Sequence, residues 1–188
     1  MRAGRLRPPD PLGLRQALEV DRALTLEQAA RWYGVRRPAD LPLGVFLREV
    51  ELRPGRDSVP SAAARVAFLV REGSPEAELE GFELRHLAGL AAMRRHLRAA
   101  PEEWRLDETV VHYDSTPDAL WYPRGGGVWA VEYDVGYDRK RVRAKLRAFA
   151  RNYTGVVWGV HAKERARTVS ALALELGVSL RLVVAPWR

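Results

Sequence analysis

Asp118, Glu132 and Asp134 stand on either side of a Gly-rich stretch in Ser115–Tyr137, STPDALWYPRGGGVWAVEYDVGY, and their types and spacing are those of oxygen chemistry. The segment reads as a β-hairpin with Pro123-Arg124-Gly125-Gly126-Gly127 as its turn. Pairing symmetric about Gly125 sets Tyr122 against Val128, Leu120 against Ala130 and Asp118 against Glu132, with Cβ atoms about 4.5–5.5 Å apart. Two like charges at that distance oppose folding unless a proton, a basic group or a cation compensates them. Side chains alternate along a strand, so Asp134 falls on the face of Glu132, and the expectation is a three-carboxylate cluster. Oxygen-only ligands suit Mg²⁺ or Mn²⁺.

Composition narrows the chemistry further. The 188-residue chain is 47% hydrophobic and 29% charged, enough for one moderate core or two small ones. It has no cysteine, which removes disulfides, thiolate metal sites and cysteine catalysis, and His86, His96, His112 and His161 do not form a zinc pattern. The apolar runs are short and broken by arginine, so neither a transmembrane span nor a signal peptide is expected, and the expected location is cytoplasmic.

The net charge of +7 points to an anionic partner, nucleic acid first. Nearly all the positive charge is arginine. Lysine occurs only at Lys140, Lys145 and Lys163, all after the acidic hairpin, and lysine, unlike arginine, can give up its proton.

Along the chain, Leu12–Leu24 reads as a helix, and Thr25-Leu26-Glu27-Gln28 is a capping box that opens a second helix closed by Gly34. Leu43, Phe46, Leu47 and Val50 at helical spacing predict a third. Pro54-Gly55 and a strand over Arg65–Val70 follow. Helix, helix, helix and ribbon is the order of a winged helix-turn-helix module. Beyond a break near Gly73, the pattern predicts a helix over Glu76–Leu97, a strand over Thr109–Tyr113, the hairpin, a helix over Asp138–Arg151, a strand over Thr154–Val160, a helix over Lys163–Leu176 and a strand over Ser179–Val184. The expected fold class is therefore α/β (α+β): a winged-helix domain over 1–73 and, over 74–188, a mixed sheet flanked by helices.

Pro117-Asp118-Ala119 on one strand, Val131-Glu132-Tyr133-Asp134 on the next and the basic helix ending Lys145-Leu146-Arg147-Ala148-Phe149 resemble the PD-(D/E)XK nuclease-like fold. The whole chain is similar to the replication-relaxation family of plasmid and mobile-element proteins, which join a winged helix to such a domain. The resemblance implies that Asp118 and Glu132 hold a metal that activates water. Active nucleases of this kind carry Lys two residues after the Glu, where this chain has Asp134. The candidate replacement is Lys145, which borders the apolar stripe Val142, Leu146, Phe149 and Tyr153. The simpler expectation for Lys145 is a snorkelling residue whose stem covers that stripe.

Candidate metal ligands are thus Asp118, Glu132 and Asp134, and candidate catalytic residues are Asp118, Glu132 and Lys145. The expected cofactor is Mg²⁺ or Mn²⁺. Candidate nucleic-acid contacts are Arg36 and Arg37 before Pro38, and Arg139, Arg143 and Arg147 on the basic helix. Trp121 and Trp129 are expected to pair in the core, Glu80 and Glu83 to be exposed, and His112 and Asp114 to be structural. Two functions stay open: a DNA-binding protein on a degenerate nuclease scaffold, and an active metal-dependent DNA endonuclease. The expected partner is DNA, no membrane is involved, and homodimer formation stays open.

Overall fold

The computed structural model of the chain describes residues 7–52, 64–106 and 116–187. Backbone packing divides the chain into a first unit, up to Ala88 and including Trp187, and a second unit, Gly89–Pro186.

The first unit opens with α1 (Pro11–Asp21), whose N-cap Asp10 accepts a hydrogen bond from Gly13 N at 2.9 Å. A short strand, β1 (Ala23–Thr25), leads into α2 (Leu26–Tyr33). The expected capping box is present: Gln28 N donates to Thr25 Oγ1 at 3.1 Å, and Thr25 N donates to Gln28 Oε1 at 3.0 Å. Gly34 ends the helix in the left-handed region, at φ 71°.

The third helix expected around Leu43–Val50 is instead a strand. β2 (Val45–Leu52) pairs antiparallel with β3 (Ala64–Arg71) along its full length, and β1 joins the other edge of β3. Leu43 and Phe46, which the helical reading turned inward, are 91% and 37% exposed. The stripe misled because Val45, Phe46 and Val50 are β-branched or aromatic, and cross-strand pairing overrides a short helical spacing. Among the described residues of this unit the order is therefore helix, strand, helix, ribbon. The Pro54-Gly55 break lies outside the described residues. Trp187 closes the unit by stacking on Phe68, with ring centroids 6.4 Å apart.

Helix α3 (Gly81–Leu97) starts later than expected, after a 3-10 turn at Pro75–Ala77. The second unit holds a five-stranded sheet: β4 (Trp104–Leu106), β5 (Ala119–Trp121), β6 (Trp129–Asp134), β7 (Gly155–Val160) and β8 (Leu180–Val184), in that spatial order. The β4, β5 and β6 strands form an antiparallel meander. β6, β7 and β8 run parallel, linked by the crossover helices α4 (Arg139–Asn152) and α5 (Lys163–Glu175). The fold is thus mixed α and β, with a mixed sheet flanked by helices in the second unit. The strand expected at Thr109–Tyr113 lies outside the described residues, and β4 had no counterpart in the sequence reading. No helix among the described residues is long and apolar enough to cross a membrane.

The sheet of the second unit has two different faces. On one, Trp104, Trp121 and Trp129 share a register row, and the Trp121 and Trp129 rings lie 6.1 Å apart, as expected of a core pair. Farther along the same face, Tyr133 packs against Gly89 and Gly159, where any side chain would collide with its ring. The other face presents Ala130, Val156, Trp158 and Val160 to Val142, Leu146 and Phe149 of α4 and to Val169 and Leu172 of α5. Glu132 and Asp134 alternate onto this second, apolar side.

Replacing Gly89 by Ala should destabilise the chain by roughly 1–3 kcal/mol, because a methyl inside the rigid Tyr133 ring outweighs the better helix propensity of Ala. Gly125→Ala, which meets nothing within 4 Å, should be close to neutral. Urea denaturation of the two variants checks the contrast, and equal midpoints would contradict the packing described.

Candidate functional site

The hairpin has the symmetric register expected from its sequence. Ala119 pairs with Val131, Leu120 with Ala130 and Trp121 with Trp129. One further step along the same register brings Asp118 alongside Glu132. Asp118 Oδ2 accepts a hydrogen bond from Tyr133 N at 2.7 Å, which fixes the carboxylate against β6. Asp118 is 6% exposed and Glu132 is fully buried.

Lys145 completes the cluster and corrects the snorkelling expectation. It lies in the buried stripe of α4 with Val142, Leu146 and Phe149, and it is 1% exposed. Its Nζ sits 3.0 Å from Glu132 Oε1 and 3.1 Å from Oε2, and it also donates to Thr116 O at 3.2 Å. The stem does cover the stripe, but the ammonium turns inward. An inward pair opposes the desolvation of both charges. Only the bond to Oε2 is well aligned, so Oε1 is a buried acceptor without a proper hydrogen bond despite its short distance.

Tyr137 closes the cluster from the loop after β6. Its hydroxyl faces Glu132, and its ring lies near both the Arg141 guanidinium, 4.5 Å from the centroid, and Lys145 Nζ at 5.7 Å. Burial holds the Glu132 carboxyl well above its usual range, and the charge of Asp118 pushes in the same direction. The charge and hydrogen bond of Lys145 and the nearby Tyr137 hydroxyl oppose that rise without cancelling it. Burial, then the Glu132 and Asp118 charges, push the Tyr137 phenol far up, so it remains a donor.

Asp134 does not join this cluster. Its Oδ1 accepts from Gly136 N at 2.8 Å and Tyr137 N at 3.0 Å, and its Oδ2 from Trp158 Nε1 at 3.2 Å and Arg165 Nε at 2.8 Å. Arg165 Nη2 lies 2.7 Å from the same Oδ2 and also donates to Tyr137 O. The alternation that put Asp134 on the Glu132 face was right, but its lone pairs are consumed. Among the described residues no group of three His, Cys, Asp or Glu could hold a metal ion, so the expected three-carboxylate cluster reduces to Asp118 and Glu132.

The donors that remain still suit a hard divalent cation. Both are carboxylates, and Glu132 Oε1 lacks an aligned donor. Such an ion would be held by Asp118 and Glu132 with water completing its shell.

The candidate nucleic-acid contacts fall elsewhere. In the first unit, Arg36 Nη1 donates to Gly34 O at 3.0 Å and to Arg7 O at 3.3 Å, and Arg37 pairs with Asp40 at 3.2 Å. In the second unit, Arg139 and Arg147 are exposed on α4 and Arg143 is half-buried, with Arg143 2.8 Å from Glu175 Oε1. Glu83 caps the start of α3 by accepting from Glu80 N at 2.7 Å. His112 and Asp114 lie outside the described residues. Sequence reasoning assigned no role to Tyr137, Trp158 or Arg165. Tyr137 sits beside the acidic motif and could have been found there, whereas Arg165 reaches Asp134 only through the parallel crossover.

No protein-family model matches the chain, and neither a curated protein nor a solved structure shows significant similarity to it.

The raised Glu132 carboxyl has a defined consequence for stability. A group whose folded pKa exceeds its unfolded value stabilises the fold fully below the unfolded value and loses that contribution as pH rises through the folded one. In metal-free buffer, the melting temperature relative to Glu132→Gln should therefore fall as pH rises above the ordinary carboxylate range. A difference that grows with pH would reverse the assignment.

Proposed function

We propose that the chain acts on DNA, and that its second unit is a PD-(D/E)XK nuclease-like domain with a phosphodiester-cleaving site at Asp118, Glu132 and Lys145. One observation carries this reading: Lys145 reaches from α4 to within 3.1 Å of both Glu132 oxygens, beside Asp118. In nucleases of this kind the lysine stands two residues after the Glu, on the same strand. Here α4 supplies the ammonium and Asp134 holds the adjoining loop instead. The element order of the second unit, helix, three-stranded meander, helix, strand, supports the same reading.

A Mg²⁺ or Mn²⁺ ion at Asp118 and Glu132 would supply a water of lowered pKa and positive charge against the phosphate. The residues of the chain do the rest. Asp118 is aimed by its bond from Tyr133 N, and Glu132 is held between Lys145 and Tyr137. Lys145 offers a buried ammonium to the charge that grows on a phosphate in the transition state. The arginines of α4 would grip the backbone independently of sequence. A cytoplasmic replication or mobilisation protein of plasmid type is the setting this reading fits.

A second reading is favoured by burial. Glu132 and Lys145 are 0% and 1% exposed, which suits a structural ion pair in a DNA-binding scaffold that does not cut.

Incubating the full chain with supercoiled and single-stranded DNA separates the two. On the first reading, Mg²⁺ or Mn²⁺ gives cleavage that Asp118→Asn and Lys145→Met each reduce at least about 100-fold while DNA affinity stays unchanged. DNA binding without cleavage under either metal would select the scaffold.

Binding itself should weaken steeply with salt, by about 0.9 in log–log slope per phosphate contacted. Arg147→Ala should lower affinity for all sequences alike. No binding at low salt would remove DNA as the partner.

A further inference from the structure

Arg139, Arg143, Arg147 and Arg151 recur every fourth residue along α4 and form one basic ridge. Like charges at this spacing repel along a helix, so the ridge is unfavourable unless anions meet it. An acid from α5 reaches it. Glu175, the last residue of α5, accepts from Arg143 Nη2 at 2.9 Å through Oε2, has Oε1 2.8 Å from the same nitrogen, and lies 3.8 Å from Arg139 Nη2. A carboxylate there faces the partially negative C-terminal end of its own helix, so its placement depends on the two arginines. The pairs are open to water: the side chains of Glu175, Arg139 and Arg143 are 46%, 69% and 33% exposed. Exposed pairs of this kind are weak, and a polyanion can displace the carboxylate.

From this geometry we infer that Glu175 is a built-in competitor for the phosphate-binding ridge of α4, occupying Arg139 and Arg143 until a nucleic-acid backbone replaces it. The inference rests on the DNA reading above and adds a residue that tunes it. Arg147 and Arg151, which Glu175 does not hold, make the first phosphate contacts. Arg139 and Arg143 join them at the cost of the Glu175 pairs, so bound DNA covers the whole ridge while unbound chain presents half of it.

The test is the affinity of the full chain for a short mixed-sequence duplex across a salt series, for the natural chain, Glu175→Gln and Glu102→Gln. Glu102 is exposed and its neutralisation changes the net charge equally. Glu175→Gln should bind about two- to fivefold more tightly than Glu102→Gln. Its log–log salt slope should be steeper than that of Glu102→Gln, because salt weakens the Glu175 pairs that the unmutated residue must give up on binding. In an Arg139→Ala/Arg143→Ala background, Glu175→Gln should gain no more than Glu102→Gln does.

Equal affinity of Glu175→Gln and Glu102→Gln overturns the inference and leaves the DNA reading standing. Weaker binding by Glu175→Gln also overturns it, because Glu175 would then orient the arginines for phosphate. Binding by Glu175→Gln alone supports the inference in its strongest form. If neither the natural chain nor Glu175→Gln binds at low salt, the inference and the DNA reading fall together. Thermal melting of Glu175→Gln controls for folding, and a large loss of stability with unchanged affinity assigns Glu175 to helix packing instead.

Discussion

The second unit depends on one buried ion pair. Glu132 stands in the middle of β6, on the face that carries Ala130, Val156 and Trp158, and α4 covers that face with Val142, Leu146 and Phe149. A carboxylate in such a layer is costly by itself, and an ammonium there is no cheaper. Together they are tolerable only if α4 lies at one rotation and one height over the sheet, with Lys145 above Glu132. Apolar residues alone would allow α4 to slide by a turn or to roll. The pair confines it, because any such shift leaves two unpaired charges in a dry layer, at a cost of about 3–5 kcal/mol for a broken buried pair.

Around that pair the polar groups fall into two sets with different duties. Asp134, Trp158, Arg165 and the backbone of Gly136 and Tyr137 form a closed set in which every acceptor of the carboxylate has a donor. Its effect is to fix the chain as it leaves β6, and thereby the position of the Tyr137 ring. Asp118, Glu132, Lys145 and Tyr137 form an open set, in which Glu132 Oε1 lacks an aligned donor. A saturated polar network holds structure, whereas one with an unmet acceptor has room for a further donor. The division explains why two acids two residues apart on one strand differ so much in environment.

The first unit is a separate problem in local against non-local preference. Its two helices are set by strong local signals: the Asp10 cap, the Thr25–Gln28 box and the Gly34 stop. The segment after them has no such signals, and its outcome was decided by pairing with β3 over eight residues. Among the described residues a ribbon stands in place of the expected third helix, so the nucleic-acid reading leans on the arginines of α4.

Sequence alone determined the elements that local chemistry specifies. The Gly-rich turn dictated the hairpin and its register, the alternation of β6 put Glu132 and Asp134 on one face, and the 3.6-residue stripe defined α4 and placed Lys145 at its border. The crossover helices and parallel strands from Arg139 to Val184 were legible to within a residue or two, because caps, stripes and β-branched runs agree there. Tertiary structure decided everything that depends on which groups meet across those elements. It turned Lys145 inward, since only the packed sheet supplies Glu132 as a partner. It withdrew Asp134 from the acidic cluster, since Arg165 and Trp158 arrive only through the parallel crossover. It made Val45–Leu52 a strand, since an edge of β3 was there to pair with. Local periodicity encodes which face a side chain takes, and the partner waiting on that face is set by contacts between residues far apart in the chain.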